Sequence, residues 1–491
     1  MNRRSTTPQT ALRLHHAIIN GKPLTSLDGR ALDCLCPSDG LAFAAIPRCG
    51  PVEIDAAVKA ARAAFETGPW GRMSATERGR LLVKLGEAIL THHEELASFE
   101  AMDCGKPLKQ ARADITAAAR YFEFYGTAAD KVHGETIPFL NGYTVATIRD
   151  PHGVTGHIVP WNYPAQIFGR SVAASLACGN TCVVKPAEDA CLSLLRITEL
   201  ALEMGFPPGV INIVTGLGGE AGAALANHPG LDFISFTGSP ETGTLIQQAA
   251  AQNHIGCTLE LGGKSPQVIF ADADMAAALP MLINAIIQNG GQTCSAGSRI
   301  LIQQSAYDAL VPALVERFEK IAIGRHDDDR DMGAMINAQQ QQRVARFTAR
   351  ARMDGVPVLA QTSLPTDLPK GGFYAVPTLF GPVPRGNALA IDEVFGPVLS
   401  VIPFEDEADA IALANGTPYG LVAGIWSQDA KRSMRLARAM RCGQVYINGY
   451  GAGGGIELPF GGVKKSGHGR EKGFEALYEF SASKTIVIHH G

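Results

Sequence analysis

Apolar and polar positions in the first part of the chain recur with the period of amphipathic helices. The pattern predicts one helix over residues 52–65 and another over 110–125. Between them, Ser74 and Glu77 stand three residues apart ahead of a long amphipathic run. That spacing is typical of a capping box, so we expect a helix to begin there. A later stretch, 275–287, is almost wholly apolar and is also predicted to be helical.

From residue 157 onward, short apolar runs of β type alternate with stretches of helical periodicity. This alternation is typical of βαβ units, so it predicts two α/β domains with mainly parallel sheets and a boundary within 261–274. The predicted strands are 157–159, 182–184, 210–214, 233–236, 257–261, 299–302, 398–403, 422–426 and 444–447. The predicted helices are 164–178, 192–204, 220–227, 241–250, 307–319, 408–414 and 431–440.

Composition limits what the chain can do. Its 491 residues are enough for two to four domains, and an apolar fraction of 46% supplies an ordinary buried core. The net charge of −4 gives no electrostatic footprint for nucleic acid. No apolar run reaches the roughly 18 residues of a membrane span. We therefore expect neither a nucleic-acid partner nor a membrane.

The N-terminal segment 1–20 carries three arginines but no apolar core, which argues against a secretory signal. A polar tail is the simpler interpretation, and a transit peptide is the alternative. The ten cysteines form no CxxC pair and no Cys/His spacing suited to zinc. We expect a reducing, cytoplasmic location and no metal site.

A turn that contains glycine follows one of the predicted strands. Gly238 permits a tight turn, Ser239 is suited to cap a helix, and Pro240 and Glu241 suit its first turn. A helix N-terminus at the end of a parallel strand can bind an anion. The alternative is a well-capped helix without a ligand. The nearest approach to a GxGxxG fingerprint, at 216–219, lacks the third glycine and fails as a Rossmann signal.

Two further residues are candidates for chemistry. Glu260 stands among apolar residues at the end of a predicted strand, where desolvation raises the pKa of a carboxyl group and suits a general base. The alternative is an acid paired with a lysine or a backbone N–H. Cys294 follows the apolar helix in a loop that has glycines on both sides. Backbone N–H groups there can lower the pKa of the thiol and stabilise an oxyanion beside it. One loop cysteine among ten proves nothing by itself.

The order of these motifs along the chain is more specific than any one of them. They are Trp161-Asn162-Tyr163-Pro164, Lys185-Pro186-Ala187-Glu188, the turn 238–243, Glu260, Cys294, Glu393-Val394-Phe395-Gly396-Pro397 and the segment 467–471. From about residue 20 to the C-terminus, the series resembles the aldehyde dehydrogenase superfamily. The resemblance implies a Rossmann-like cofactor domain (1–128 and 152–262), an α/β catalytic domain (263–476) and a small β bridging domain (129–151 and 477–491).

The resemblance also implies a reaction, the oxidation of an aldehyde to a carboxylic acid. Cys294 corresponds to the family's nucleophile, which forms a thiohemiacetal and then a thioester. Asn162 corresponds to the side chain that stabilises the oxyanion, and Glu260 to the base that activates the hydrolytic water. Glu471 corresponds to an acid that is discussed as a proton relay, with a structural ion pair as the alternative.

For the cofactor, the resemblance implies NAD and leaves NADP open. Lys185 and Glu188 correspond to contacts of the adenosine ribose, where a carboxylate would repel a 2′-phosphate. The other expected cofactor contacts are Ile158, Pro160, Trp161, Gly218, Gly238, Ser239, Glu393 and Phe395.

Arg170 and Ser171 depart from the commonest family pattern, which has an aromatic residue and a lysine at these positions. An arginine at the first position is similar to succinic semialdehyde dehydrogenases. One hypothesis is therefore a carboxylated aldehyde held by Arg170, with Tyr163 beside it in the tunnel. The alternative is an internal salt bridge of Arg170 and a neutral aliphatic or aromatic substrate. The segment 449–456, rich in glycine, is expected to border the substrate entrance.

Two other classes of function stay open at this point, a cysteine hydrolase and a non-catalytic relative. No histidine marks itself as a partner of Cys294, and the presence of Glu260 and Asn162 argues against a non-catalytic protein. The strand-like end 484–488 could complete a sheet in its own subunit or pair with a partner's. With a hairpin near 132–149, it is expected to form a homodimer or homotetramer, since a free edge strand is a liability.

Overall fold

Four β-sheets with helices packed around them form the protein. The structure is a computed structural model that describes residues 12–451 and 455–491. Most of the N-terminal segment and the middle of the predicted entrance segment 449–456 lie outside the described residues. The strands are β1 (Arg13–Leu14), β2 (Ala17–Ile19), β3 (Lys22–Leu24), β4 (Ala31–Leu35), β5 (Ala42–Pro47), β6 (Thr136–Ile137), β7 (Tyr143–Pro151), β8 (Val154–Val159), β9 (Thr181–Pro186), β10 (Ile211–Ile213), β11 (Phe233–Thr237), β12 (Gly256–Glu260), β13 (Pro266–Ile269), β14 (Arg299–Gln303), β15 (Val358–Gln361), β16 (Thr378–Phe380), β17 (Val398–Phe404), β18 (Val422–Trp426), β19 (Gln444–Ile447), β20 (Gly467–His468) and β21 (Ser481–His489).

The helices that the periodicity predicted are present, most of them to within a few residues at each end, whereas the helices at 338–353, 388–391 and 475–479 were not predicted. They are α1 (Pro51–Glu66), α2 (Ala75–Thr91), α3 (His93–Cys104), α4 (Leu108–Ala128), α5 (Pro164–Phe168), α6 (Ala174–Cys178), α7 (Leu192–Glu203), α8 (Ala223–Ala226), α9 (Pro240–Asn253), α10 (Met275–Ile287), α11 (Tyr307–Glu319), α12 (Ala338–Met353), α13 (Ala388–Ile391), α14 (Glu407–Asn415), α15 (Ala430–Ala439) and α16 (Glu475–Glu479).

The larger sheet has eight strands in the order β20-β12-β11-β8-β9-β10-β2-β3. Its five central strands run parallel, and they are the five strands that the alternation predicted between residues 157 and 261. The edge strands β20, β2 and β3 pair antiparallel and were not predicted, because each is only two or three residues long. The parallel centre brings the carboxyl ends of these five strands to one edge, where ligands bind in such folds.

The second large sheet has seven strands in the order β15-β16-β17-β14-β13-β18-β19, of which only β15 is antiparallel. The chain passes from the first sheet to the second between Glu260 and Pro266. This crossing lies inside the predicted boundary segment, and the mixed α/β fold class is confirmed. The division into three domains stays a prediction.

A smaller sheet joins the C-terminus to the hairpin that follows α4. β21 pairs antiparallel with β7 over nine residues, from Ser481 opposite Pro151 to His489 opposite Tyr143, and β7 pairs with β6. The C-terminal strand therefore completes a sheet in its own subunit, which is one of the two arrangements expected. The remaining sheet, β1-β5-β4, is also three-stranded.

Local sequence explains the ends of several helices. Ser74 Oγ accepts the N–H of Glu77 at 3.3 Å, and Glu77 Oε2 accepts the N–H of Ser74 at 2.8 Å, which confirms the predicted capping box. Ser239 Oγ likewise accepts the N–H of Thr242 at the start of α9. The predicted helix over 164–178 is real, but a π-helical segment, Gly169–Ala173, interrupts it and carries Arg170.

Candidate active site

Cys294 lies on the loop after α10, at the wall of a cavity of about 400 Å³. The preceding turn uses left-handed backbone at Gly290 and Gly291, with φ of +64° and +74°. A Cβ on Gly291 would stand 2.3 Å from the carbonyl carbon of Gly396, so this turn needs glycine. The glycines therefore let the Cys294 loop pack closely against the backbone of Gly396, which places the thiol at the cavity wall.

The other cysteines are placed less favourably for chemistry. All ten are free, and Cys294 is the one among the described residues that lines this cavity. Cys182, for comparison, is fully buried within β9, where the Thr155 hydroxyl contacts its sulfur at 3.5 Å. A thiol inside the sheet cannot meet a substrate, so geometry selects Cys294.

Burial raises the pKa of the Cys294 thiol to about 11, although Arg170 and Lys472 act in the opposite direction. The sequence-based expectation that the loop lowers this pKa is therefore corrected. Loss of solvation around the sulfur outweighs the nearby cations, so the thiol is protonated at pH 7.

Asn162 packs against the Cys294 loop. Its Nδ2 donates to the carbonyl of Gln292 at 3.0 Å, and its own carbonyl accepts hydrogen bonds from Lys106 Nζ at 2.9 Å and Asn289 Nδ2 at 2.8 Å. The side chain is 5% exposed. These contacts hold the Asn162 side chain against the carbonyl of Gln292, two residues before Cys294 on the neighbouring loop. A side-chain N–H group at this place suits an oxyanion donor.

Lys106 is a functional neighbour that the sequence reasoning missed. It is fully buried, and its ammonium also contacts Asp114 at 2.6 Å and Glu100 at 3.2 Å. A buried cation satisfied in this way holds the Asn162 backbone in place. The only signal in the sequence is a lysine between Gly105 and Pro107, which does not reveal a contact 56 residues away.

Glu260 ends β12 and is 2% exposed, and neither of its carboxylate oxygens has a hydrogen-bond partner among residues 12–451 and 455–491. Burial raises the pKa of this carboxyl group well above its ordinary value, and Glu471 adds to the shift. The expected alternative, a paired structural acid, is not what the structure shows. A carboxylate without a partner is free to take a proton from water or from a thiol.

Arg170 and Glu471 form a buried ion pair through Arg170 Nε. Glu471 also accepts a hydrogen bond from Ser235 Oγ at 2.7 Å, and Arg170 Nη2 donates to Thr237 Oγ1 at 2.9 Å. Burial lowers the pKa of Arg170, but the Glu471 and Glu260 carboxylates outweigh it and raise the value overall. Both residues thus take the alternative weighed for them, an internal ion pair, and the carboxylate grip by Arg170 is corrected.

Tyr163 lines the same cavity, with its hydroxyl 2.7 Å from Thr293 Oγ1 and within reach of Gln110 Nε2 at 3.3 Å. The sequence predicted it as a substrate contact. Its hydroxyl contacts Thr293, the residue before Cys294, and this position is consistent with that prediction.

Most of the expected cofactor residues lie along the carboxyl edge of the larger sheet. Ile158 lies near the end of β8, Pro160 and Trp161 follow that strand, and Gly238 and Ser239 follow β11. Near the end of β9, Lys185 Nζ lies 2.7 Å from Glu188 Oε2, and Glu188 Oε1 accepts a hydrogen bond from Gly218 N at 3.4 Å. One edge thus gathers an acid, a lysine and the N-terminus of α9, as a dinucleotide requires.

Glu393 and Phe395 approach this edge from the second sheet. Glu393 Oε1 accepts the N–H of Gly263 at 2.9 Å, and burial raises the pKa of its carboxyl group to about 7. The Phe395 ring meets the Trp161 ring edge-on at 5.5 Å between centroids. A Cβ on Gly263 would lie 2.5 Å from the Cys294 carbonyl oxygen, so this glycine lets the two loops meet.

Comparison with known proteins places this geometry in a family. A profile described as the aldehyde dehydrogenase family matches residues 25–486. Human retinal dehydrogenase 2 is 40% identical over 488 residues, which cover 99% of this chain and 93% of the relative. The mitochondrial aldehyde dehydrogenase family 2 member B4 of Arabidopsis thaliana is 40% identical over 476 residues, or 96% and 87% of the two chains.

Solved structures agree with the sequence relatives. The crystal structure of a putative aldehyde dehydrogenase from Burkholderia cenocepacia is 61% identical, with a TM-score of 0.96 over 97% of this chain and 100% of the other. An aldehyde dehydrogenase from Bacillus cereus in complex with NAD+ is 38% identical, with a TM-score of 0.95 over 98% and 97%. This chain therefore belongs to the aldehyde dehydrogenase family, as its motifs indicated, and it is an oxidoreductase that acts on aldehydes.

Within the described chain, no helix combines the length and the apolar character needed to cross a bilayer. Among the same residues, no cluster of three or more His, Cys, Asp or Glu side chains could hold a metal ion.

We expect alkylation of Cys294 by iodoacetamide, in the protein without cofactor, to accelerate by about tenfold per pH unit from neutrality, because its thiolate becomes populated only near pH 11. The measurement is the labelling rate of the Cys294 peptide by mass spectrometry, with Cys294→Ser as the blank. A rate that levels off near pH 7 would show that the cations dominate and contradict the assignment.

We expect Arg170→Met to lower the unfolding free energy by about 3–5 kcal/mol, because it leaves the Glu471 carboxylate buried without a partner. The double variant Arg170→Met, Glu471→Leu should recover much of that loss, since it removes both charges. Thermal unfolding midpoints of the two variants and the parent test this. Equal destabilisation by the single and double variants would mean that the pair itself contributes nothing.

Proposed function

We propose that the chain oxidises an aldehyde to the carboxylic acid with NAD, using Cys294 as nucleophile, Asn162 as oxyanion donor and Glu260 as base. The observation that carries this proposal is a thiol at the wall of a cavity, within electrostatic reach of the unpaired buried carboxyl group of Glu260 and beside a sheet edge suited to a dinucleotide. A cysteine hydrolase does not need a dinucleotide site at that sheet edge. In a non-catalytic protein, burying Glu260 without a partner would cost folding free energy with no gain in function.

The residues at the sheet edge fit NAD. Glu188 is half-buried beside Gly218, and a Cβ on Gly218 or Gly219 would meet nothing within 4 Å, so space is open there. The carboxylate of Glu188 can accept hydrogen bonds from both ribose hydroxyls and would repel a 2′-phosphate, which favours NAD over NADP. Exposed Ser239 and the N–H groups of α9 suit a pyrophosphate, and Glu393 and Phe395 suit the nicotinamide riboside.

The first chemical step joins the substrate to the protein. Cys294 releases its proton to solvent, and the thiolate sulfur attacks the aldehyde carbon to form a thiohemiacetal. Asn162 Nδ2 and the backbone N–H of Cys294 donate hydrogen bonds to the oxygen as charge develops there, and removing one such donor typically costs about two to three orders of magnitude in rate. Bound NAD supplies the acceptor for the hydride that leaves the carbon.

The second step releases the acid. Loss of that hydride leaves a thioester on Cys294. Glu260 takes a proton from a water molecule, and the resulting hydroxide attacks the thioester carbon and expels the thiolate. The proton held by Glu260 then returns to solvent, and the raised pKa of this carboxyl group makes its deprotonated form a strong base.

We also propose that the protein is a homodimer or homotetramer. The sheet β6-β7-β21 leaves Ile486, Val487 and Ile488 between 41% and 56% exposed on a long edge strand. Such an edge is normally covered, and a second copy of the same strand would do so.

A cytoplasmic location fits the ten free cysteines, since an oxidising compartment favours disulfides. The relative from Arabidopsis thaliana is described as mitochondrial. A mitochondrial location of this chain is therefore the alternative, and fractionation of the source cells decides between them.

The test of the reaction compares two cysteine variants. NAD mixed with a panel of aldehydes should be reduced to NADH by the parent protein, and Cys294→Ala should lower this rate by at least roughly three orders of magnitude, because the covalent intermediate cannot form. The matched control is Cys182→Ala, which removes a buried thiol outside the cavity and should keep the parent kcat. Retained activity in folded Cys294→Ala would overturn the proposal.

For the assembly, Val487→Lys should shift the protein toward a monomer, because a charge on the edge strand opposes pairing with a partner. Light scattering after size-exclusion chromatography measures the mass. Met353→Lys, which changes a side chain that is 83% exposed on α12, serves as the control and should leave the mass unchanged. A monomeric parent protein would refute the proposed assembly.

A further inference from the structure

Lys472 is a cation on the wall of the Cys294 cavity that the reaction above does not use. It stands between Glu471 and Gly473 with a left-handed backbone, at φ of +61°. Its ammonium lies 5.2 Å from the centre of the Phe460 ring. The ring contact holds the ammonium at the cavity wall, which Lys472 lines.

Lys472 differs from Arg170 in forming no ion pair. Both cations lie over the ring of Phe460, Arg170 at 5.3 Å, but Arg170 is paired with Glu471. In the described parts of the chain, no carboxylate forms an ion pair with Lys472. Its positive charge at the cavity wall therefore has no direct partner.

The other titratable groups near Lys472 leave its charge without a direct partner. Glu471 is paired with Arg170, burial raises the pKa of the Glu260 carboxyl group well above normal, and burial raises that of the Cys294 thiol to about 11, so the thiol is neutral at pH 7. Burial lowers the pKa of Lys472 to about 8, although Cys294, Glu260 and Glu471 act in the opposite direction, and the ammonium stays largely protonated at pH 7. Two other acids on the cavity wall are already engaged: Asp114 with Lys106 and Gln166, and Asp331 with a backbone N–H.

A half-buried charge without a partner is unfavourable, and an incoming anion would relieve this cost. We propose that Lys472 binds a carboxylate of the substrate, so that the enzyme prefers aldehydes carrying a carboxylate to neutral aldehydes of the same length. This inference rests on the proposed reaction at Cys294. It moves the specificity that the sequence suggested for Arg170 to a residue that the sequence reasoning did not consider.

The test measures a ratio of specificities. The substrates are 4-oxobutanoate and its neutral methyl ester, with 5-oxopentanoate and its methyl ester as a longer pair. In the parent protein, kcat/KM should be higher for the acid than for the ester in at least one pair. Lys472→Met should lower that ratio by roughly tenfold or more, and Lys472→Arg should retain most of it, because the arginine keeps the charge.

Lys465→Met is the matched control, since it removes an exposed lysine seven positions earlier and should keep the parent ratio. If Lys472→Met changes kcat/KM for acid and ester by the same factor, Lys472 acts on the thiol or on the fold, and the proposal is wrong. A parent protein that oxidises the esters but shows no preference for the acids also overturns it. A parent that oxidises neither member of any pair, nor any other aldehyde, contradicts the proposed reaction instead.

Discussion

Burial without a counter-charge is the constraint on which the chemistry of this protein depends. Glu260 ends a central strand, and Cys294 lies on the loop after α10, where the Glu260 carboxyl group is near enough to raise the pKa of the thiol. Burial raises the pKa of both groups, and since that of the thiol reaches about 11, the thiol is protonated at pH 7. Reactivity then arises when a substrate and a cofactor change the local charge, and not from a permanently ionised nucleophile.

The surrounding charges follow the same constraint. The positive charge of Arg170 is stabilised in the interior because Glu471 pairs with it and Thr237 accepts a hydrogen bond from it. Ser235 in turn donates a hydrogen bond to Glu471. The charge of Lys106 is stabilised because Glu100 and Asp114 surround it, and Lys106 then holds the backbone of the oxyanion donor. Lys472, by contrast, forms no ion pair within residues 12–451 and 455–491. Arg170 and Lys106 thus maintain the architecture, whereas the charge of Lys472 is proposed to receive a ligand.

Much of the fold could be predicted because its signals are local. The alternation of apolar runs found the five central strands of the larger sheet, and the Ser74 capping box located the start of α2. The short edge strands were missed because two or three residues carry no period. The π-helical segment at Gly169–Ala173 was missed because its hydrogen-bond pattern leaves no mark in the apolar spacing.

The site was predictable only in part. Cys294, Glu260 and Asn162 came from a resemblance carried by several motifs; in the structure Cys294 and Asn162 line one cavity, and Glu260 acts electrostatically on the thiol. The state of the thiol was predicted wrongly, because a loop rich in glycine says nothing about how deeply its sulfur is buried. The partners of Arg170, and the lack of one for Lys472, depend on contacts between distant segments that no spacing in the sequence reveals. The most direct test of the account uses Glu260→Gln, mixed with NAD and an aldehyde, quenched and digested for mass spectrometry. One acyl group per subunit should accumulate on the Cys294 peptide, because the thioester forms but is not hydrolysed; NADH formation with no acyl group on Cys294, or with the acyl group on another cysteine, would contradict it.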